Sequence, residues 1–189
     1  MAANFNEILI AQLRESYGHL VYSHKTHEKM ADIYQKMDNC IKRWQLILSV
    51  VVTSGIITTI GFEICNQDNM WIKVLSASIS FVLVLLTTFV RNGNYAQLSA
   101  EHRKITAELW LLREKYLCLL ADYEAGLTTE LETIKRRDKI SEELGGIYKN
   151  APRTSTCAYE KARKALKEKE EMTFSDEEID AFIPQKMRK

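Results

Sequence analysis

Proline is nearly absent from this 189-residue chain: it has two, Pro152 and Pro184, so nothing before position 152 is obliged to break a helix. Glycine is scarce as well, at seven, and none sits in a phosphate-cradling loop. Four cysteines, Cys40, Cys65, Cys118 and Cys157, are scattered with no C-x-x-C pair, which argues against a disulfide framework or a zinc site. Cys65 alone is expected on the outer side of a membrane, where it could bridge subunits. Neither sign of charge dominates: 26 Lys and Arg against 25 Asp and Glu give a net charge of +1, so the chain shows no nucleic-acid footprint. The first 43 residues contain no early apolar core before a small-residue cleavage site, so no secretory signal is expected. No β-alternation and no internal repeat is visible.

The absence with the largest consequence is that of charge inside two long runs. Trp44 to Phe62 and Val74 to Val90, 19 and 17 residues, contain no Asp, Glu, Lys, Arg or His. A helix rises 1.5 Å per residue, so about 20 mostly apolar residues cross a bilayer core of about 30 Å. Two spans are therefore expected, over about 44–62 and 72–90, with an outside loop at 63–71. The mean hydropathy of −0.22 hides them by averaging apolar arms with a charged remainder. The competing arrangement is a buried helical hairpin in a soluble protein, but such a helix shows a charged face within two turns, and neither run does. The first run would then act as the targeting element.

Positive charge sets the orientation. Lys36, Lys42 and Arg43 precede the first run, Arg91, Arg103 and Lys104 follow the second, and the connection from Glu63 to Lys73 holds one Lys against two acids. Both termini are expected in the cytoplasm, with Trp44, Trp71, Arg43 and Arg91 as anchors at the interfaces.

The flanking chain is helical by periodicity. The N-terminal region, residues 1–43, repeats Phe5, Ile8, Leu9, Leu13, Tyr17, Leu20 and Val21, then Met30, Ile33, Tyr34, Met37 and Ile41, as one helix or two that can run on into the first span. Residues 91–171 form the expected cytoplasmic stalk or bundle. Asn92-Gly93-Asn94 breaks the chain after the second span, and a helix of about 30 residues follows to Gly126. A further helix starts at a Thr128 or Thr129 cap and is expected to end at Gly145-Gly146. Pro152 and Thr154-Ser155-Thr156 then introduce a helix from about Thr156 to Glu171, with Tyr159, Ala162 and Leu166 on one face. Residues 172–189 give a short helix with a Ser175–Glu178 capping box, stopped by Pro184, and a basic, frayed tail. The fold class is all-α, with about seven helices: a two-span transmembrane hairpin with long cytoplasmic helices before and after it.

No catalytic constellation is marked. His24-x-x-His27-Glu28 matches neither H-E-x-x-H nor H-x-x-E-H, so a solvated or interface role, rather than a metal site, is expected for His19, His24 and His27. Arg136-Arg137-Asp138 reads as a solvated face. An intramembrane enzyme would need a carboxylate pair, or a nucleophile and base, within the runs, and both lack them. No catalytic residue, cofactor or metal is expected.

The runs do carry hydroxyls. Ser76, Ser80 and Thr87, at i, i+4 and i+11, share one side of the second helix, and Ser49 and Thr53 make a shorter row in the first. Such rows can knit helices together or line a wet pathway when several copies surround an axis. The hydroxyls alone favour packing. Two spans per chain bury little of this surface unless copies associate, so self-association is expected.

Several stretches resemble the SLATT family, two-span effector domains associated with bacterial cyclic-oligonucleotide-based anti-phage systems. The resemblance rests on Tyr22-Ser23-His24-Lys25-Thr26-His27 followed by Trp44-Gln45, on Leu111-Leu112-Arg113-Glu114-Lys115-Tyr116-Leu117, and on Ile147-Tyr148-Lys149-Asn150-Ala151-Pro152 leading to Tyr159-Glu160-Lys161-Ala162. It covers about residues 10–170. It implies a non-enzymatic effector of the bacterial inner membrane that oligomerises and permeabilises the bilayer when a partner nucleotidyltransferase signals infection. Its trigger would be a cyclic oligonucleotide or a partner sensor protein. A scaffold or receptor whose cytoplasmic helices dock a partner is the alternative.

Overall fold

The computed structural model describes residues 2–64 and 70–188, with side chains described for all of these except residues 2–5, 58, 59, 62–64, 72, 76 and 89–92. Most of the expected outside loop, with Cys65, and the side chains of Ser76 and Arg91 lie outside the described residues. Among the described residues there is no strand. Six α-helices follow one another: α1 (Ala2–Ile64), α2 (Met70–Gly93), α3 (Tyr95–Glu124), α4 (Glu130–Asn150), α5 (Thr156–Lys167) and α6 (Asp176–Phe182), with a 3₁₀ turn at Gln185–Met187 in the tail expected to be frayed.

The first two N-terminal patterns merge into α1, 63 residues without a break. No proline removes a donor along it. The break between α2 and α3 is Asn94, whose φ of 42° is a left-handed conformation that Asn tolerates better than most residues. Gly126 ends α3 with φ 70°; its N–H donates to the Tyr123 carbonyl at 3.0 Å and the Leu127 N–H to that of Asp122 at 2.9 Å, so two terminal carbonyls are satisfied. Thr129 caps α4 and Ser155 caps α5, each hydroxyl accepting the N–H three residues on. The Ser175–Glu178 capping box is complete.

Three expectations are corrected. Gly145 and Gly146 do not end α4, which continues to Asn150. A helical glycine costs only about 1 kcal/mol relative to alanine, and Leu144 and Ile147 on either side pack against the core and hold the helix together. Pro152, which offers no N–H, follows the helix end directly. α5 stops at Lys167 rather than Glu171, and its buried residues are Ala158, Ala162 and Ala165; of the expected face Ala162 is buried and Leu166 half-buried, while Tyr159 is exposed. Methyl side chains let that helix approach its neighbours closely.

The chain divides into two compact units, Met1–Met30 with Glu101–Lys189, and Ala31–Ala100. In the first unit three long segments form a bundle whose directions follow from cross-contacts. Tyr123 reaches Asn6 and His27 reaches His102, so α3 runs antiparallel to α1; Arg137 meets Gln12 and Tyr148 meets Ser23, so α4 runs parallel to it. Leu9, Leu13 and Leu20 of α1, Ile105, Leu109, Leu112, Tyr116 and Leu119 of α3, and Ile140 of α4 make the core. Leu13 and Leu109 are fully enclosed, and burying each such side chain is worth about 2 kcal/mol.

The second unit contains the later part of α1, all of α2 and the first turns of α3. The Tyr34 and Tyr95 rings stack at 6.1 Å and the Ser99 hydroxyl donates to the Ala31 carbonyl at 2.9 Å, which joins the base of the two arms. Above that base its side chains are mostly exposed and apolar.

Candidate functional site

Two features of the described residues carry chemistry: the apolar arms and a buried polar cluster in the bundle.

On the arms, large apolar side chains face outward. Trp44 is 56 % and Trp71 82 % exposed, and Val50, Ile57, Leu75, Phe81 and Val84 are exposed with them. One half-buried stripe runs along each arm: Gln45, Leu48, Ser49, Val52 and Gly55 on α1, and Ile79, Ser80, Leu83 and Leu86 on α2. The structure thus puts Ser49 and Ser80 on the half-buried stripes, while Thr53, Thr87, Trp44, Trp71 and Arg43 are exposed. An apolar surface of this extent marks contact with a membrane or with other protein.

Six of the arm hydroxyls bond carbonyls of their own helices. Ser49 donates to the Leu46 carbonyl at 2.8 Å, Thr53 to Ser49 at 2.8 Å, Ser54 to Val50 at 2.9 Å, Ser78 to Val74 at 2.9 Å, Thr87 to Leu83 at 2.8 Å and Thr88 to Val84 at 2.9 Å. Such back-bonding removes the cost of an unpaired donor in hydrocarbon while leaving oxygen lone pairs directed outward. Among the described residues one helix is long and apolar enough to cross a membrane, within Asn6–Ile57, and a second, shorter apolar helix covers Lys73–Thr88.

The histidines divide between the two expected roles, solvated and interface. His19 is exposed beside Glu15, but His24 and His27 are each only 5 % exposed, so a solvated role for these two is overturned. The cause is a partner distant in sequence: His102 of α3, whose Nδ1 lies 2.9 Å from Nδ1 of His27. One of these nitrogens must carry the hydrogen and the other accept it, which requires at least one neutral ring. Burial, then repulsion from His102 and His24, pushes His27 down to about 4, and burial lowers His24 and His102 as well. At neutral pH the burial of these three rings favours their neutral form. His24 packs against Trp110 with ring centroids 5.6 Å apart, and the Arg113 guanidinium lies 3.7 Å over the same indole, a cation–π contact. Among the described residues no group of three or more His, Cys, Asp or Glu is arranged to hold a metal ion.

Beside the histidines the buried Lys25 ammonium bonds Glu28 at 2.8 Å and Glu171 at 2.7 Å, and Lys29 bonds Glu171 at 2.9 Å. Burial alone would push Lys25 down, but its bonds to Glu171 and Glu28 outweigh this and raise it; the same lysines hold Glu171 down to about 2. Sequence reasoning missed His102 and Glu171. Neither stands in a motif, and only the antiparallel pairing of α3 with α1 and the turn after α5 bring them to the cluster.

No curated protein and no solved structure matches the chain. The family comparison does find a match, and it spans residues 9–178, from the first core leucine to the capping box of α6: the chain belongs to SLATT_4, the SMODS and SLOG-associating 2TM effector domain family 4.

Proposed function

We propose that this protein is a membrane-embedded effector that self-associates and forms a pore in, or disrupts, the bacterial inner membrane, as the cell-killing arm of an anti-phage signalling system. The observation that carries this reading is the pair of apolar arms, exposed over most of their surface yet free of charge over 44–62 and 74–90. Water is a poor solvent for them and hydrocarbon a good one. Membership of a family described by its two membrane spans supports the same placement.

Both arms span in this reading. α2 has 24 residues and a rise of about 36 Å, enough to cross a core of about 30 Å. The flanking Lys and Arg put both termini in the cytoplasm. Two spans enclose nothing alone, so several copies must surround an axis. Ser49, Thr53, Ser76, Ser80 and Thr87 are the candidates for packing those copies or lining the space between them. The protein acts on the bilayer without catalysing a reaction. Its trigger is a cyclic-oligonucleotide signal or a partner sensor or nucleotidyltransferase.

The second reading, a non-conducting scaffold or receptor, is favoured by one observation: the Ser49, Thr53 and Thr87 hydroxyls already bond their own helices and do not demand water. Exchange of residues 44–90 for an unrelated two-span anchor separates the two. A pore former loses its lethal effect with the native arms, whereas a scaffold keeps its activity.

A further inference from the structure

The chain has 25 acidic residues, yet one cavity of about 560 Å³ in the first compact unit has no carboxylate in its wall. That volume falls in the range of small-molecule sites, roughly 300–1,000 Å³. α1 supplies Tyr22 and His19, the end of α4 supplies Tyr148, and the stretch around the start of α5 supplies Arg153, Thr154 and Tyr159.

Its rings and its charge are both organised. Tyr22 and Tyr159 stack with centroids 6.0 Å apart and planes inclined by 29°. The Tyr148 hydroxyl donates to the Ser23 hydroxyl at 2.7 Å, which fixes a third ring against α1. His19 is shared with Glu15, 3.6 Å away on the preceding turn, so Arg153 is the principal cation. A guanidinium stays charged and presents a planar fork that matches phosphate oxygens, while tyrosine faces accept any planar base. A much larger groove between α3 and α4, about 1070 Å³, lacks this character: five carboxylates line it, and its Lys115 and Arg136 are paired with Glu143 and Asp122.

We infer that the pocket walled by Tyr22, Tyr148, Arg153 and Tyr159 is a nucleotide site, binding a phosphate ester through Arg153 and its base through the tyrosine faces. Bound there, the ligand ties α1, which also carries the first apolar run, to the connection between α4 and α5. That regulatory consequence rests on the membrane-effector reading; the binding itself does not.

Isothermal titration calorimetry on the full chain in detergent micelles tests it, with AMP, cyclic di-AMP, adenosine and inorganic phosphate as probes. The expected result is binding of AMP or cyclic di-AMP, with adenosine and phosphate each at least tenfold weaker, since each supplies half of the recognition. The tighter of the two nucleotides identifies the source as a common metabolite or a cyclic signal. Arg153→Gln and Tyr159→Leu each weaken binding at least tenfold, and Tyr159→Phe retains it. Arg153 is exposed, so the melting temperature of Arg153→Gln stays unchanged and its loss of binding is not a loss of folding. Absence of heat with both nucleotides, or equal affinity in Arg153→Gln and Tyr159→Leu, overturns the assignment. Because no bilayer takes part, failure here leaves the membrane reading intact, and absence of membrane leakage leaves this one intact.

Discussion

Lys25 Nζ lies 2.7 Å from the Glu171 carboxylate, and Lys29 Nζ lies 2.9 Å from the same oxygen. One acid beyond α5 is thereby held between two lysines one turn apart on α1. The residues on either side of it, Glu170 and Met172, adopt φ of 52° and 78°, conformations that non-glycine residues rarely hold without compensation. The ion pairs supply it. Glu171→Gln removes the charge and leaves Lys25 buried with only Glu28, so the first unit should lose about 1–2 kcal/mol in urea unfolding. Glu170→Gly relieves strain at an exposed position and should stabilise by about 0.5–1 kcal/mol. Equal midpoints for Glu171→Gln and the native chain would remove the lysine clamp from the account.

Stability should fall in two steps on acidification. His27 in the folded chain lies at about 4 against an ordinary 6.5, so between those values the unfolded chain binds the extra proton. The contribution of a neutral His27 is thus complete above pH 6.5 and is lost as pH falls toward 4, with a size on the order of 2 kcal/mol. Glu171, held to about 2 against 4.5, contributes fully above pH 4.5 and loses its contribution as pH falls toward 2. Urea midpoints measured from pH 8 to pH 2 trace both steps. His27→Gln should flatten the upper step and leave the lower one; an unchanged upper step in that variant would contradict the assignment.

The glycines of α4 give a prediction of opposite sign. Gly145 and Gly146 are helical, and a Cβ added at either meets nothing within 4 Å. Alanine at each should therefore stabilise by about 0.5–1 kcal/mol. Gly126 also has open space, but its φ of 70° strains any side chain, so Gly126→Ala should destabilise by about 1 kcal/mol. Thermal melts of the three variants decide the signs.

These positions show how far the sequence reaches. The long helices, their caps and the Asn94 and Gly126 breaks follow from local patterns, because hydrogen bonds and caps act over three to five residues. The end of α4 is not legible locally, because tertiary packing of Leu144 and Ile147 outweighs two glycines and local propensity does not contain that packing. The exposed arms were readable from the absence of charge alone. The buried cluster was not: His24, His27 and Lys25 look like a polar helix face until His102 and Glu171 cover them. Ser80 and Thr87 lie two turns apart on one side of the unbroken α2, and along that side Ser80 is half-buried and Thr87 exposed.

Those hydroxyls can be tested as a set. Replacing Ser76, Ser80 and Thr87 together with leucine should abolish membrane permeabilisation while the protein still fractionates with membranes. Full permeabilisation by the triple variant would exclude a pathway lined by that side of α2. Thr53→Val should retain membrane insertion, since the Thr53 hydroxyl donates to the Ser49 carbonyl of its own helix at 2.8 Å.

In the proposed function the exposed arms enter a bilayer and open it. Purified protein reconstituted into liposomes loaded with small and large dyes, with and without cyclic oligonucleotides or lysate from infected cells, shows whether they do. Release of the small dye but not the large one, appearing only with the trigger, is the predicted result. Vesicles that stay sealed under every condition, with insertion confirmed, would contradict a pore and leave the arms as an anchor.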